Sequence, residues 1–114
     1  MGYIKHNAIV VTGSSYDSVR FHKAYDKARE LFGYESVSET VKSTLNGYIS
    51  FFVAPDGSKE GWPESNEYDD KRKQLANYID SLAYDNGSNS IDFVDVGYDE
   101  VHEVSVKRNN APRK

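Results

Sequence analysis

The sequence predicts an α+β fold of the ferredoxin-like type, β-α-β-β-α-β, an antiparallel sheet with two helices on one face. Three observations predict it. Two long segments carry apolar residues at helical spacing. Shorter runs rich in β-branched and aromatic residues flank each of them. An Asn46-Gly47 pair separates two of those runs, where a hairpin turn belongs.

Residues 3–12 (YIKHNAIVVT) read as the first strand, and Gly13 as its end. Ser14, with Asp17 three residues later, approximates a capping box. The helix that follows runs to about Phe32 and stops at Gly33. Its buried stripe is Phe21, Ala24, Tyr25, Ala28, Leu31 and Phe32. Residues 37–45 form a weaker, polar edge strand, whose lysine and glutamate discourage edge pairing. After the Asn46-Gly47 turn, residues 48–54 form a strong aromatic strand.

The loop APDGSKEGWP comes next. A second helix starts near Ser65 and runs to about Tyr84, with Tyr68, Leu75, Ile79 and Leu82 as its stripe. Glu64, Glu67, Asp69 and Asp70 crowd its first turns, where the helix dipole favours negative charge, and Asp69-Asp70 reads as a capping pair. Residues 90–98 form the last strand of a single domain, 1–98. Residues 99–114 are a C-terminal strand or tail, with a short strand at VHEVSV and a disordered end at RNNAPRK.

Composition narrows the function classes. The chain has 114 residues, enough for one domain. It has no cysteine, which excludes disulfides and thiolate metal sites. A net charge of −4 disfavours DNA or RNA polymers, which want a basic surface. A small anion needs only a few local donors. No apolar run reaches the ~18 residues of a membrane span, and no signal peptide is expected. Most of the nine tyrosines are expected at half-buried core edges.

Strand alternation separates Ile9, Val11, Ile49, Phe51 and Val53 from Val10, Tyr48 and Phe52. One set faces the helices. The other leaves an apolar open face, for which another subunit is the expected cover and the C-terminal segment the alternative.

The first and third strands are expected side by side and parallel, so that their C-terminal ends meet. That would set Thr12-Gly13-Ser14-Ser15 beside residues 55–62, with both helix N-termini opening at the same edge. The hydroxyls of Thr12, Ser14 and Ser58 and the ammonium of Lys59 would then form a phosphate site, and Tyr16 and Trp62 would offer flat faces to a base. Each residue has a plainer role as well. Pro55-Asp56-Gly57 suits a type I turn, Ser14 a helix cap, Lys59 a solvated pair with Glu60, and Trp62 a plug at the end of the core.

Catalytic signatures are thin. His6, His22 and His102 lack metal-ligand spacing, and no Walker motif occurs. Asp92 and Asp95 fall on opposite faces of a strand. The reading is a binder, not an enzyme, with no cofactor and no metal.

The segments HNAIVVTG and NGYISFFVAPDGSKEGWPES, followed by a helix and an acidic strand, resemble a group of small bacteriophage proteins identified as an anti-CBASS sponge family. The resemblance covers residues 3–98 and leaves the tail out. It implies a homo-oligomer, dimer or tetramer, in the cytoplasm of the infected bacterium. It implies that cyclic dinucleotide signals such as cyclic GMP–AMP are held without cleavage, which starves the host's effectors of activator.

Overall fold

In the computed structural model, which describes residues 5–57, 62–99 and 103–110, the chain forms five strands and two helices. β1 (Lys5–Ser14) leads through a 3-10 turn (Ser15–Asp17) into α1 (Ser18–Phe32). β2 (Val41–Lys42) and β3 (Tyr48–Val53) follow, then α2 (Pro63–Ser81), β4 (Asp92–Asp99) and β5 (Val104–Asn109). The sheet order is β2-β3-β1-β4-β5, and every neighbouring pair is antiparallel. This is the ferredoxin-like α+β arrangement with a fifth strand added at the β4 edge.

The central pair is therefore not parallel. β1 and α1 run in opposite directions, β2 returns along the direction of β1, and the hairpin reverses β3. Ser14 lies opposite Tyr48, and Val53 opposite Ile9. The C-terminal ends of β1 and β3 thus sit at opposite ends of the sheet, and the two helices begin at opposite ends with them.

Both helices cover one sheet face. Ile9 and Val11 of β1, Phe51 and Val53 of β3, and Phe93 of β4 meet Phe21, Ala24, Tyr25, Ala28 and Phe32 of α1 and Leu75, Ala76 and Ile79 of α2. Phe21 and Tyr25 set their ring edges toward Phe51, the geometry aromatic quadrupoles favour. Gly13 does not end β1. It pairs with Ile49 inside the strand, and a side chain there would bring a Cβ to 2.5 Å from the Phe21 ring. The missing side chain is what lets α1 lie close to the sheet.

The turn at Asn46-Gly47 forms, with φ of 64° and 65°. A Cβ on Gly47 would also lie 2.8 Å from Ser15 Oγ. The edge strand before it is shorter than its sequence suggests. Only Val41 and Lys42 join the ladder, and Val37 makes an isolated bridge to Val53. No capping box forms at α1. Ser14 Oγ accepts from the Tyr16 N–H at 3.1 Å, and Asp17 turns instead to Arg20, Tyr84 and Ser90.

The tail is ordered further than RNNAPRK suggests. The Asn110 amide donates to Ile91 O at 2.9 Å and accepts from the Phe93 N–H at 2.7 Å. Arg108 reaches α2 at Asp80 and Asn77, 2.7 and 3.1 Å away. These contacts clip β5 to the sheet edge. Residues 111–114 lie outside the described residues. β5 widens the open face and does not cover it. Val106 pairs with Val96 and Val104 with Tyr98, beside the exposed Val10 and Phe52. Among the described residues, no helix is long and apolar enough to cross a membrane.

Candidate functional site

Of the residues expected to converge on a phosphate, the four that the structure describes divide between the two ends of the molecule. Thr12, Ser14 and Tyr16 stand at the C-terminal end of β1. Thr12 Oγ1 shares a 2.8 Å hydrogen bond with Ser50 Oγ on the open sheet face. Ser14 is occupied by its own turn, and Tyr16 is 90% exposed. Trp62 stands at the N-cap of α2, at the opposite end, where it is 46% exposed and so does not plug the core. Ser58 and Lys59 lie outside the described residues. Antiparallel pairing of β1 with β3 is the physical reason that one subunit keeps Trp62 away from Thr12, Ser14 and Tyr16.

Near the β1 end, one carboxylate is satisfied from three sides. Asp17 accepts from Arg20 at 3.2 Å, from Ser90 at 3.2 Å, and from the Tyr84 hydroxyl. The hydrogen bond from Tyr84, with those from Arg20 and Ser90, holds its carboxyl below the ordinary 3.8. The Arg20 guanidinium also lies 4.2 Å over the Tyr84 ring and donates to Leu82 O at 2.9 Å. This cluster ties the start of α1 to the segment after α2.

The other end holds a cleft of about 370 Å³ between α2, the start of β1, and the β4–β5 edge. It is lined by Asn7, Asp69, Arg72, Lys73, Asp95, Lys107 and Arg108. Each residue arrives for a local reason. Asn7 shares the inward side of β1 with Ile9 and Val11, and is 8% exposed. Asp95 alternates inward between Phe93 and Gly97. Arg72 takes the helix position between Tyr68 and Leu75 on the apolar stripe, and is 5% exposed. A bulge between Asp95 and Val96 sets Arg108 opposite Asp95 and leaves Lys107 as the extra residue.

Arg72 is the organising cation. Asp69, one turn earlier, accepts from its guanidinium and is therefore an arginine partner, not a cap. Asp70 instead accepts from Gln74. The Asp56 carboxylate lies 3.8 Å from Arg72 Nη1 with a side chain only 6% exposed. Residues 54–57 form irregular chain and not the turn their sequence suggests, and this segment sets the Asp56 carboxylate against Arg72.

Asp95 is different. Its Oδ2 stands 3.9 Å from Arg72 Nε, beyond hydrogen-bond reach. Its Oδ1 is buried and has no hydrogen-bond partner among the described residues. Burial pushes the carboxyl up to about 6, against the pull of Arg72 and Lys107. Asp92, by contrast, is exposed on the other sheet face, so the two carboxylates are indeed separated.

Chemically, four cationic side chains against two carboxylates make the lining net positive. Asp95 and Asn7 add hydrogen-bonding groups at the cleft wall. Among the described residues, no group of three or more His, Cys, Asp or Glu side chains is placed to hold a metal ion. None of Asn7, Asp56, Arg72 and Asp95 was among the expected site residues. The signal that marks them is a charged or amide residue at a position whose spacing demands an apolar one. No protein-family model matches the chain, and no curated protein matches it.

Proposed function

We propose that this protein binds a cyclic dinucleotide signal, such as cyclic GMP–AMP, and holds it without cleavage. The observation that carries the reading is the cleft. Its net positive lining suits phosphate, and its volume falls in the ~300–1,000 Å³ range of small-ligand pockets. The likeness of HNAIVVTG and NGYISFFVAPDGSKEGWPES to the phage sponge group supplies the ligand class. Hydrogen bonds to charged groups contribute about 1.5–3 kcal/mol each, so two or three phosphate contacts with Lys73, Lys107 and Arg108 support micromolar binding. In this reading the phage protein acts in the cytoplasm of the infected host, and the cleft takes the place of the expected site at Thr12, Ser14, Tyr16 and Trp62.

A second subunit belongs to the same proposal. Val10, Phe52, Tyr98, Val104 and Val106 are all exposed on the open sheet face, a contiguous apolar area of the kind that marks interfaces. A two-fold pair would offer one cleft to each half of a two-phosphate ligand. Light scattering of the purified protein should give a dimer or tetramer mass.

The direct test is recovery. The protein is saturated with cyclic GMP–AMP, washed, and heat-denatured, and the released nucleotide is analysed. Intact cyclic ligand supports sequestration. Linear dinucleotide would transfer the reading to a hydrolase, for which Asp95, titrating at about 6, is the natural acid–base group. No retained nucleotide, with capture of a host protein that Phe52→Asp abolishes, would favour a protein-binding factor that uses the open face.

A further inference from the structure

The cations of the cleft are not equally available to an anion. Arg108 donates to Asp80 at 2.7 Å, while Arg72 is held by Asp69 and lies 3.8 Å from the Asp56 carboxylate. Lys73 and Lys107 are the exposed cations of the lining, so an anion in the cleft meets their charge first. Asp95 opposes them from the same wall. Its Oδ1 is buried and has no hydrogen-bond donor among the described residues, and its Oδ2 stands 3.9 Å from Arg72 Nε. No ligand has to touch this carboxylate to feel it. Its charge acts through space on whatever the cleft holds, because water screens little in a buried wall.

The sign of that action is fixed. An ionised Asp95 repels an anion in the cleft, and the anion in turn disfavours the ionised carboxyl. Binding and protonation therefore favour each other, and each strengthens the other by the same factor. The carboxyl is already poised for this. Burial pushes it up to about 6, against the pull of Arg72 and Lys107, and the like charge of Asp69 adds to the rise. Asp69, Arg72 and Lys73 face it from α2, Lys107 and Arg108 from β5, and the neutral Asn7 from β1. An added anion shifts this balance further toward the neutral acid. The side chain is 10% exposed, which leaves a route for proton exchange with solvent.

We infer that an anionic ligand enters this cleft together with a proton from solvent, which comes to rest on the Asp95 carboxylate, and that the cleft holds its ligand more tightly as pH falls. The inference rests on the binding reading above and adds the regulation of the same site. It makes Asp95 a brake on binding at neutral pH and not a contact to the ligand.

The experiment is calorimetric titration with two anions that do not themselves titrate between pH 5.5 and 8. One is cyclic GMP–AMP, whose phosphates are diesters. The other is inorganic sulfate. Each is titrated across that range in buffers of high and low ionisation enthalpy, and the difference in heat counts the protons taken up. Wild type should bind about 10-fold more weakly at pH 8 than at pH 5.5, and should take up about half a proton at pH 7. Asp95→Asn carries no charge at any pH. It should bind at pH 8 about as tightly as wild type binds at pH 5.5, with proton uptake near zero. A gain of affinity on substitution is what a merely structural carboxylate would not give. Circular dichroism confirms that the variant is folded, and the proton count in wild type tests the coupling without it.

Binding of cyclic GMP–AMP with the same affinity from pH 5.5 to 8 and no proton uptake would overturn the inference and leave the sequestration reading standing. A pH dependence that survives Asp95→Asn would also overturn it, because another group would then carry the proton. Proton-linked binding of sulfate that Asp95→Asn uncouples, with no binding of cyclic GMP–AMP, would support the coupling and sink the sequestration reading. Absence of binding by both anions would end both.

Discussion

Asp17, partly exposed, and Asp95, buried, are carboxylates at opposite ends of the sheet, and their surroundings treat them in opposite ways. Asp17 is met by a guanidinium, a phenol and a hydroxyl, and its carboxyl is held below 3.8. Asp95 is buried against an arginine that is committed elsewhere, and its carboxyl is pushed up to about 6. The first arrangement spends its donors on tying α1 to the segment after α2. The second leaves a buried acceptor without a donor beside the cleft. A carboxylate whose donors are supplied by the fold is held in its ionised form, whereas one buried without them is pushed toward its neutral form.

That contrast can be broken at several points. The largest effect should come from Arg72→Met. Removing the guanidinium leaves the Asp56 and Asp95 carboxylates buried near each other without their cation, which costs about 3–5 kcal/mol by urea denaturation. A loss below about 1 kcal/mol would mean that Arg72 does not organise the cleft wall. Next comes Asp17→Ala. Tyr84, Arg20 and Ser90 lose their common acceptor, and stability should fall by about 1–3 kcal/mol. Asp95→Asn should leave stability within about 1 kcal/mol of wild type, because the amide removes a buried charge without removing a hydrogen bond.

The two carboxylates also differ in the sign of their pH dependence. The folded-state value of Asp95 is raised, so its contribution to stability is full below 3.8 and is lost as pH rises through about 6. Asp17 is lowered, so its contribution is present above 3.8 and is lost as pH falls toward the folded value. The groups facing Asp95 are Asp69, Arg72 and Lys73 from α2, Lys107 and Arg108 from β5, and the neutral Asn7 from β1. In a series of denaturation curves from pH 4 to 7, Asp95→Asn should abolish the loss between 4 and 6, and Asp17→Ala should not. An unchanged slope in Asp95→Asn would show that the carboxyl titrates normally.

Much of the fold was legible. The spacing of Phe21, Ala24, Tyr25 and Ala28 gave α1 its buried face, Asn46-Gly47 gave the hairpin, and alternation sorted Phe51 from Phe52. The direction of β3 was misread, although two right-handed βαβ passes around one hairpin require β1 and β3 to oppose each other. That one reversal moved Trp62 away from Thr12, Ser14 and Tyr16. The cleft itself was readable in part. Arg72 interrupts the stripe of Tyr68, Leu75 and Ile79, and Asp95 sits in phase with Phe93, both signs of a charge held inward for a purpose. What local pattern could not reveal is the β5 register. It depends on a bulge at Asp95–Val96 and on Asn110 and Arg108 gripping partners far away in sequence.

The most direct test of the account is where a ligand perturbs the protein. Uniformly ¹⁵N-labelled protein is titrated with cyclic GMP–AMP, and amide shifts are followed. The account predicts changes clustered at Asn7, Asp69, Arg72, Asp95 and Arg108, with Ser14, Tyr16 and Gly47 unmoved. Shifts centred on Ser14, Tyr16 and Gly47, or no shifts at all, would contradict it.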